Sequence, residues 1–350
     1  MRVVTVHPGP AWSVADCHNG YTEALRKLGC QVVEYDTGAR LEFFDQVRFD
    51  DADRGVIEAI PDQQDQAVLV SKGLESVLYE VWPDIVWATY GPCIDPRTLQ
   101  LARERGHVVV MHHTESPYED ERGMRWAEAG IADLWLINDP VNLEQWRKRW
   151  PHVLYLPHSY RPTLHRPARQ ERKPLWDVLW CGSSFPSRVA WFERFVEHAG
   201  DLTLGLAGNW MSVQDGHKLD PYILNGHRES LDNDQVPALY HQTRVGLNMY
   251  RREAETGATC EGWAMGPREV EMAACGLFYL TEPRDENRDI MPMVPTFDSP
   301  EDAAEQARWW ATHPSHRAKA ADQARRAVAF WTFENRARQV LDLIDRLNVS

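Results

Sequence analysis

The sequence predicts an α/β protein built from two Rossmann-like halves in tandem. Short apolar runs alternate with stretches of helical spacing; one proline-rich segment interrupts the alternation; the same alternation then resumes. Strands that read as unbroken apolar runs belong to parallel sheets, because helices cover both faces of such a sheet.

In the first series Arg2 to His7 is a strand, Pro8-Gly9-Pro10 breaks it, and Gly20 to Leu28 carries helical spacing that stops at Gly29. Strands follow at Gln31 to Tyr35, Ile85 to Ala88, Val108 to Met111, Leu134 to Ile137 and Val153 to Leu156, with helices at Pro96 to Arg105 and Val141 to Trp150. Pro157, Pro162, Pro167 and Pro174 mark an interdomain linker. The second series has strands at Asp177 to Cys181, Leu202 to Ala207, Val245 to Met249 and Leu277 to Leu280. From Pro300 the chain is helical, over Ala303 to Trp310 and His316 to Leu347, broken at Trp331-Thr332.

At 350 residues the chain exceeds one core of ordinary size, so two domains are expected, and 43% hydrophobic residues suffice to fill them. Asp and Glu outnumber Lys and Arg by 52 to 38, a formal charge of −14. That balance argues against a broad electrostatic grip on nucleic acid or an anionic membrane. The six cysteines are scattered without a C-x-x-C pair, as reduced thiols of a cytoplasmic protein would be. A strand begins almost at Met1 and no run reaches membrane-spanning length, so neither a signal peptide nor membrane insertion is expected.

Ligands of open α/β sheets bind at the carboxyl ends of strands, which selects four loops and one helix start. Gly266-Pro267-Arg268-Glu269-Val270-Glu271 opens a helix that ends at Gly276. Its free N–H groups and positive dipole end suit a phosphate, Arg268 adds a cation, and a carboxylate one turn in suits sugar hydroxyls. The same residues also suit an ordinary amphipathic helix with a glycine cap. Cys181-Gly182-Ser183-Ser184-Phe185-Pro186-Ser187-Arg188 is a small-residue loop entering a helix, a second anion site or a plain capped helix. His7-Pro8-Gly9-Pro10 lets a ligand approach the backbone, but no G-x-G-x-x-G supports a dinucleotide. In His112-His113-Thr114-Glu115 the two histidines point to opposite faces of an extended segment, which makes them poor joint metal ligands. One of them with Glu115 suits proton transfer. Asp232-Asn233-Asp234 superficially resembles a metal-binding D-x-D but precedes Val236 to Tyr240, so it reads as a helix cap and no metal is assigned.

Several segments together resemble the CgeB-like (spore maturation protein type) glycosyltransferases, a group with the GT-B fold. They are Leu156-Pro157-His158-Ser159 with His165-Arg166-Pro167, Asp177 to Ser183 with Arg188, Leu239-Tyr240 with Val245 to Asn248, and Arg268 to Gly276 as R-x-x-E-x-x-A-C-G. The last is Thr332 to Ala337, the T-x-x-N-R-A ending. The resemblance implies two facing Rossmann-like domains. An acceptor domain would span 1–160 with a terminal helix at about 332–350 crossing back to it, and a donor domain would span 161–331. A hinge near Pro157 to Pro174 would let the two close. It further implies a hexosyltransferase-type enzyme that moves a sugar from a nucleoside-diphosphate-sugar, UDP-sugars favoured, to an acceptor hydroxyl without a metal. The donor is a substrate, so no cofactor is expected. Gly182, Ser183, Arg188, Arg268, Glu269 and Glu271 would hold the donor, His7 and Gly9 would lie on the acceptor side, and His113, Glu115 and Arg268 would be catalytic. Many related retaining enzymes carry two glutamates eight positions apart; eight before Glu271 stands Trp263, with Glu269 or Glu261 as the possible substitutes. The acceptor is left open among a glycan, a protein, a small molecule and modified bases of phage DNA, the last disfavoured by charge. A nucleotide-sugar epimerase or hydrolase, or a non-catalytic sugar-nucleotide binder, is compatible with the same donor residues.

Overall fold

The computed structural model describes residues 1–9, 14–45, 48–51, 56–59, 63–89, 93–114, 130–141, 143–170, 173–227, 230–253 and 262–348, with backbone alone at 48–51, 56–59, 63 and 348. Two compact units divide the chain: Met1–Leu156 with Phe333–Ser350, and Pro157–Thr332.

The first unit is built on β1 (Arg2–Val6), β2 (Gln31–Tyr35), β5 (Ile85–Thr89), β6 (Val108–His113), β7 (Leu134–Ile137) and β8 (Val153–Tyr155), all parallel in the order β2-β1-β5-β6-β7-β8. A separate antiparallel hairpin joins β3 (Arg48–Asp51) and β4 (Val56–Ala59). The helices are α1 (Ala15–Lys27), α2 (Thr37–Asp45), α3 (Gln63–Val81), α4 (Pro96–Glu104), α5 (Leu143–Arg149) and the terminal α12 (Phe333–Asn348). Side chains alternating along the strands feed two cores. Val4, Val6, Val86, Val109 and Met111 meet α3, α4 and α5 on one face; Val3, Trp87, Val110 and Leu136 meet α1 and α12 on the other. Gly20 permits the second packing, since a Cβ there would stand 2.3 Å from the Phe333 ring.

The second unit repeats the plan with β9 (Trp176–Ser183), β10 (Leu204–Asn209), β11 (Thr243–Asn248) and β12 (Tyr279–Thr281), parallel in the order β10-β9-β11-β12. Its helices are α6 (Pro186–His198), α7 (Val236–Tyr240), α8 (Pro267–Cys275), α9 (Asp285–Ile290), α10 (Pro300–Thr312) and α11 (Pro314–Ala327). α8 stops at Gly276, whose φ of 74° is the left-handed cap that a glycine provides. It lies close on β11 because Gly246 has no side chain; a Cβ there would stand 2.4 Å from the Met272 sulfur.

The stretch from Pro157 to Pro174, expected as a linker, is built into this unit. Ser159 and His165 are buried, Tyr160 N–H donates to the Trp331 carbonyl at 3.0 Å, and Arg161 pairs with Asp234. The prolines interrupt regular structure here but do not prevent packing. All the strands read from sequence are present within a few residues, whereas α2, the β3–β4 hairpin, α3 and α9 were not anticipated.

Gly208 tests how tightly the second sheet is drawn together. Its φ is 110°, it pairs with Gly182, and a Cβ would stand 2.3 Å from the Gly182 carbonyl. Gly208→Ala is expected to destabilise the chain by roughly 2–4 kcal/mol in urea unfolding, from strain and a backbone clash together.

Candidate functional site

In the second unit the strand order reverses between β9 and β11, the place where α/β sheets bind ligands. β9 leads through Ser184 and Phe185 into α6, which begins at Pro186; a Cβ on Gly182 would meet the Trp180 ring at 2.7 Å. Arg188, one turn into α6, reaches back over the strand ends. Its guanidinium donates to the Ser183 carbonyl at 3.2 Å and the Met249 carbonyl at 3.0 Å, with the rings of Trp180 and Phe185 at 5.3 and 5.2 Å. Burial pulls its pKa down to about 10, which leaves it cationic at neutral pH. Among the described residues its Nε has no hydrogen-bond partner.

The residues after β11 surround this cation, and sequence reasoning missed them. Glu253 accepts the Ser187 N–H at 2.8 Å, so a carboxylate already caps the start of α6. Arg251 lies over the Phe185 ring at 4.9 Å. Glu282, just past β12, accepts the Tyr250 N–H at 2.7 Å and pairs with Arg252 at 2.5 Å; Arg284 lies over the Tyr250 ring at 4.3 Å. Short-range spacing gives no signal for contacts between residues this far apart in sequence.

α8 starts at Gly266 with Pro267 in its first turn. Arg268 donates to Glu271 at 2.8 Å and to the Asn233 side chain. Burial works against both charges, but each holds the other ionised. Arg268 pulls the Glu271 carboxyl below its usual range with help from His165, and Glu271 raises the Arg268 guanidinium. Arg268 and Glu271 are therefore brought together as a pair, and burial raises the Cys181 thiol on β9 while neighbouring Arg268 acts in the opposite direction. Asp232 caps the turn that carries Asn233, as the capping reading expected, and Asn233 adds a hydrogen-bonding role that reading lacked.

Glu269, expected among the donor-binding residues, is fully buried and accepts four hydrogen bonds from the protein. These come from Gly266 N–H at 2.7 Å, Tyr250 Oη at 2.5 Å, Asn287 Nδ2 at 2.9 Å and Thr281 Oγ1 at 3.1 Å. Burial pushes its pKa up to about 7 in spite of those donors. The capping-box position turns it inward, while Arg268 and Glu271 lie on other faces of the helix.

In the first unit His7 Nδ1 accepts the Gly9 N–H at 3.3 Å, which places its proton on Nε2, and Gly9 adopts a φ of 129°. Burial and neighbouring His18 lower the His7 pKa. His18, unnoticed in the sequence, sits edge-on to His7 at 4.9 Å and pairs with Glu34 at 3.1 Å, a bond that holds Glu34 at a pKa of about 2. It became visible only once β1 and β2 were seen to pair. His112 and His113 do diverge: His112 packs by Cys17 and Tyr21 of α1, whereas His113 stacks on Trp146 of α5 with ring centroids 6.0 Å apart. His113, expected to be catalytic, is 1% exposed. Glu115 and Glu261 lie outside the described residues. The described cysteines, Cys17, Cys30, Cys93, Cys181 and Cys275, are free thiols, and no described helix is long and apolar enough to cross a membrane.

Residues 188–342 match a family model described as glycosyl transferase-like. No curated protein sequence matches the chain. Among solved structures it is similar to Anabaena HepE in complex with UDP-glucose, at a TM-score of 0.64 and 12% identity, over 99% of this chain and 100% of that one. AviGT4, a glycosyltransferase involved in avilamycin A biosynthesis, aligns at a TM-score of 0.59 and 16% identity over 99% and 98%. An α-glucosyltransferase in complex with UDP aligns at 0.60 and 11% over 99% and 100%. The fold is the α/β GT-B type expected from the sequence. With the match over residues 188–342, the chain is an enzyme of the glycosyltransferase type.

Because Arg268 holds a buried carboxylate, Arg268→Ala alone is not a clean probe of function. It is expected to destabilise the fold by about 3 kcal/mol, with Glu271 left unpaired. Adding Glu271→Gln should recover much of that loss, as read by a double-mutant cycle in urea.

Proposed function

We propose that this chain transfers a sugar from a UDP-sugar to an acceptor hydroxyl without a metal, in the manner of the CgeB-like enzymes it resembles. The observation that carries this reading is the placing of two helix starts, those of α6 and α8, beside the carboxyl ends of β9 and β11 with Arg188 and Arg268 among them. Backbone N–H groups and fixed guanidiniums are what a departing nucleoside diphosphate requires, since negative charge develops on it as the glycosidic bond breaks. UDP is favoured as the nucleotide because HepE and the α-glucosyltransferase, which share the fold, are complexed with UDP-glucose and UDP.

In this reading Gly182 and Ser183 bring the backbone of the β9 turn up to the diphosphate. Arg188 spans the two strand ends and supplies one cation, and Arg268, steadied by Glu271 and Asn233, supplies the second. Glu271 also offers a carboxylate to the ribose hydroxyls. Glu253 accepts the first N–H of α6, so a phosphate that takes that position displaces it.

The test is a screen of nucleoside-diphosphate sugars by melting temperature, followed by turnover with the best donor. UDP-sugars should stabilise the chain, by about 2.7 kcal/mol at a hundred times the dissociation constant. Arg188→Ala should weaken UDP-glucose binding at least about tenfold, given the strength of charge-assisted bonds to phosphate. Donor incubated alone should yield no isomer and little free sugar. Absence of stabilisation by every nucleoside diphosphate would contradict the reading, and steady isomerisation of the donor would replace it with an epimerase.

A further inference from the structure

The hydrogen bonds around Glu269 are better satisfied with a proton on the carboxyl group than without one. Thr281 Oγ1 has a single proton and two acceptors, Glu269 Oε1 at 3.1 Å and the Glu282 carbonyl at 3.0 Å, while Asn248 Nδ2 donates to its oxygen at 3.1 Å. An ionised Glu269 therefore competes with the Glu282 carbonyl for that proton. With a proton on Oε1, Glu269 donates to Thr281 Oγ1, Thr281 donates to the Glu282 carbonyl, and Oε1 keeps a lone pair for Asn287. Oε2 still accepts from Tyr250 Oη at 2.5 Å and Gly266 N–H at 2.7 Å.

The same carboxyl ties together four segments: the start of α8, the loop after β11 through Tyr250, the end of β12 through Thr281, and α9 through Asn287. We propose that Glu269 is a positioning residue of the donor site, fixing the start of α8 and Tyr250, and that donor binding draws a solvent proton onto it. This rests on the reading that α8 and the β9 turn hold the donor diphosphate. An ionised Glu269 cancels the positive end of α8, and a diphosphate brought there adds further negative charge; protonation of the carboxyl relieves both. Burial already pushes this group up to about 7, so the proton is within reach at neutral pH.

The charged and titratable neighbours are accounted for as follows. On α8, Arg268 and Glu271 pair with each other; from the loop after β11, Tyr250 carries Arg284 over its ring; from β12 come Tyr279 and, beyond it, Glu282 paired with Arg252. On α9, Glu286 accepts the Met265 N–H at 2.7 Å. A carboxyl with a raised pKa binds a proton in the folded chain over a range where the unfolded chain has released it. Its contribution to stability therefore falls as pH climbs from the ordinary carboxyl range through about 7.

The experiment is calorimetric titration of the full chain with UDP-glucose from about pH 5.5 to about pH 8.5. UDP-glucose is used because its diphosphate is esterified at both ends and does not titrate in this range, unlike a terminal phosphate with its second pKa near about 6. Wild-type affinity should fall roughly tenfold across the range as pH rises. Glu269→Gln, neutral at every pH, should give a flat profile near the wild-type acid value. Tyr250→Phe removes a donor that favours the ionised form, so its midpoint should move to higher pH, and this variant decides the matter if Glu269→Gln does not fold. A flat wild-type profile, a Glu269→Gln profile with the wild-type slope, or an unmoved Tyr250→Phe midpoint would overturn the inference. Failure of UDP-glucose to bind at any pH would overturn the donor reading and this inference with it.

Discussion

The second unit is organised by the need to satisfy two carboxylates buried two residues apart on one short helix. Glu269 and Glu271 are 0% and 3% exposed, and an unpaired buried charge costs several kcal/mol. The chain meets this in two ways. Glu271 receives a guanidinium from Arg268 on its own helix, while Glu269 receives four neutral donors from four segments. The first arrangement keeps its charge; the second sits near the point of losing it. That difference places a fixed ion pair and a proton-exchanging group within one turn of α8.

The same constraint shapes the neighbouring turn. Arg188 is buried among rings, and its positive charge is answered by the carbonyls of Ser183 and Met249 and by Glu253 and Glu282 nearby. Polar groups that close the ends of β9, β11 and β12 to one another thus also concentrate charge at the sheet edge. In the proposed donor site stability and ligand binding draw on the same residues, so truncating one of them measures both effects at once. The first unit solves a different problem: its polar cluster of His7, His18, Glu34 and Thr22 joins α1 to β1 and β2 beneath the carboxyl edge of its sheet.

Much of the fold was legible in the sequence because parallel strands are apolar on both faces and prolines and glycines mark the helix starts and stops. Pro186, Pro267 and Gly276 stand where the structure begins or ends a helix. α3 went unread because its apolar positions, Val70, Leu74 and Leu78, have no clear cap residue before them, and α2 is short, with Leu41 and Phe44 alone packed on the core. Of the candidate site, the helix starts and both arginines were visible as residue types at strand ends. Their partners were not. Glu253, Tyr250, Asn233 and Glu282 are brought in by pairing across the sheet, and Glu269 looked like a ligand-facing carboxylate because a capping box and an anion site share one sequence signature. The burial of His113 was hidden for a related reason, since alternation says only that two neighbours diverge and not which of them meets a tryptophan.

The central claim is that the β9 turn and the start of α8 together hold the diphosphate of a nucleotide-sugar. Hydrogen exchange read by mass spectrometry, with and without saturating UDP-glucose, tests it most directly. The account predicts slowed exchange in peptides covering Gly182 to Val189 and Met265 to Met272. Protection confined to the first unit, or absent from both peptides at saturation, would contradict it.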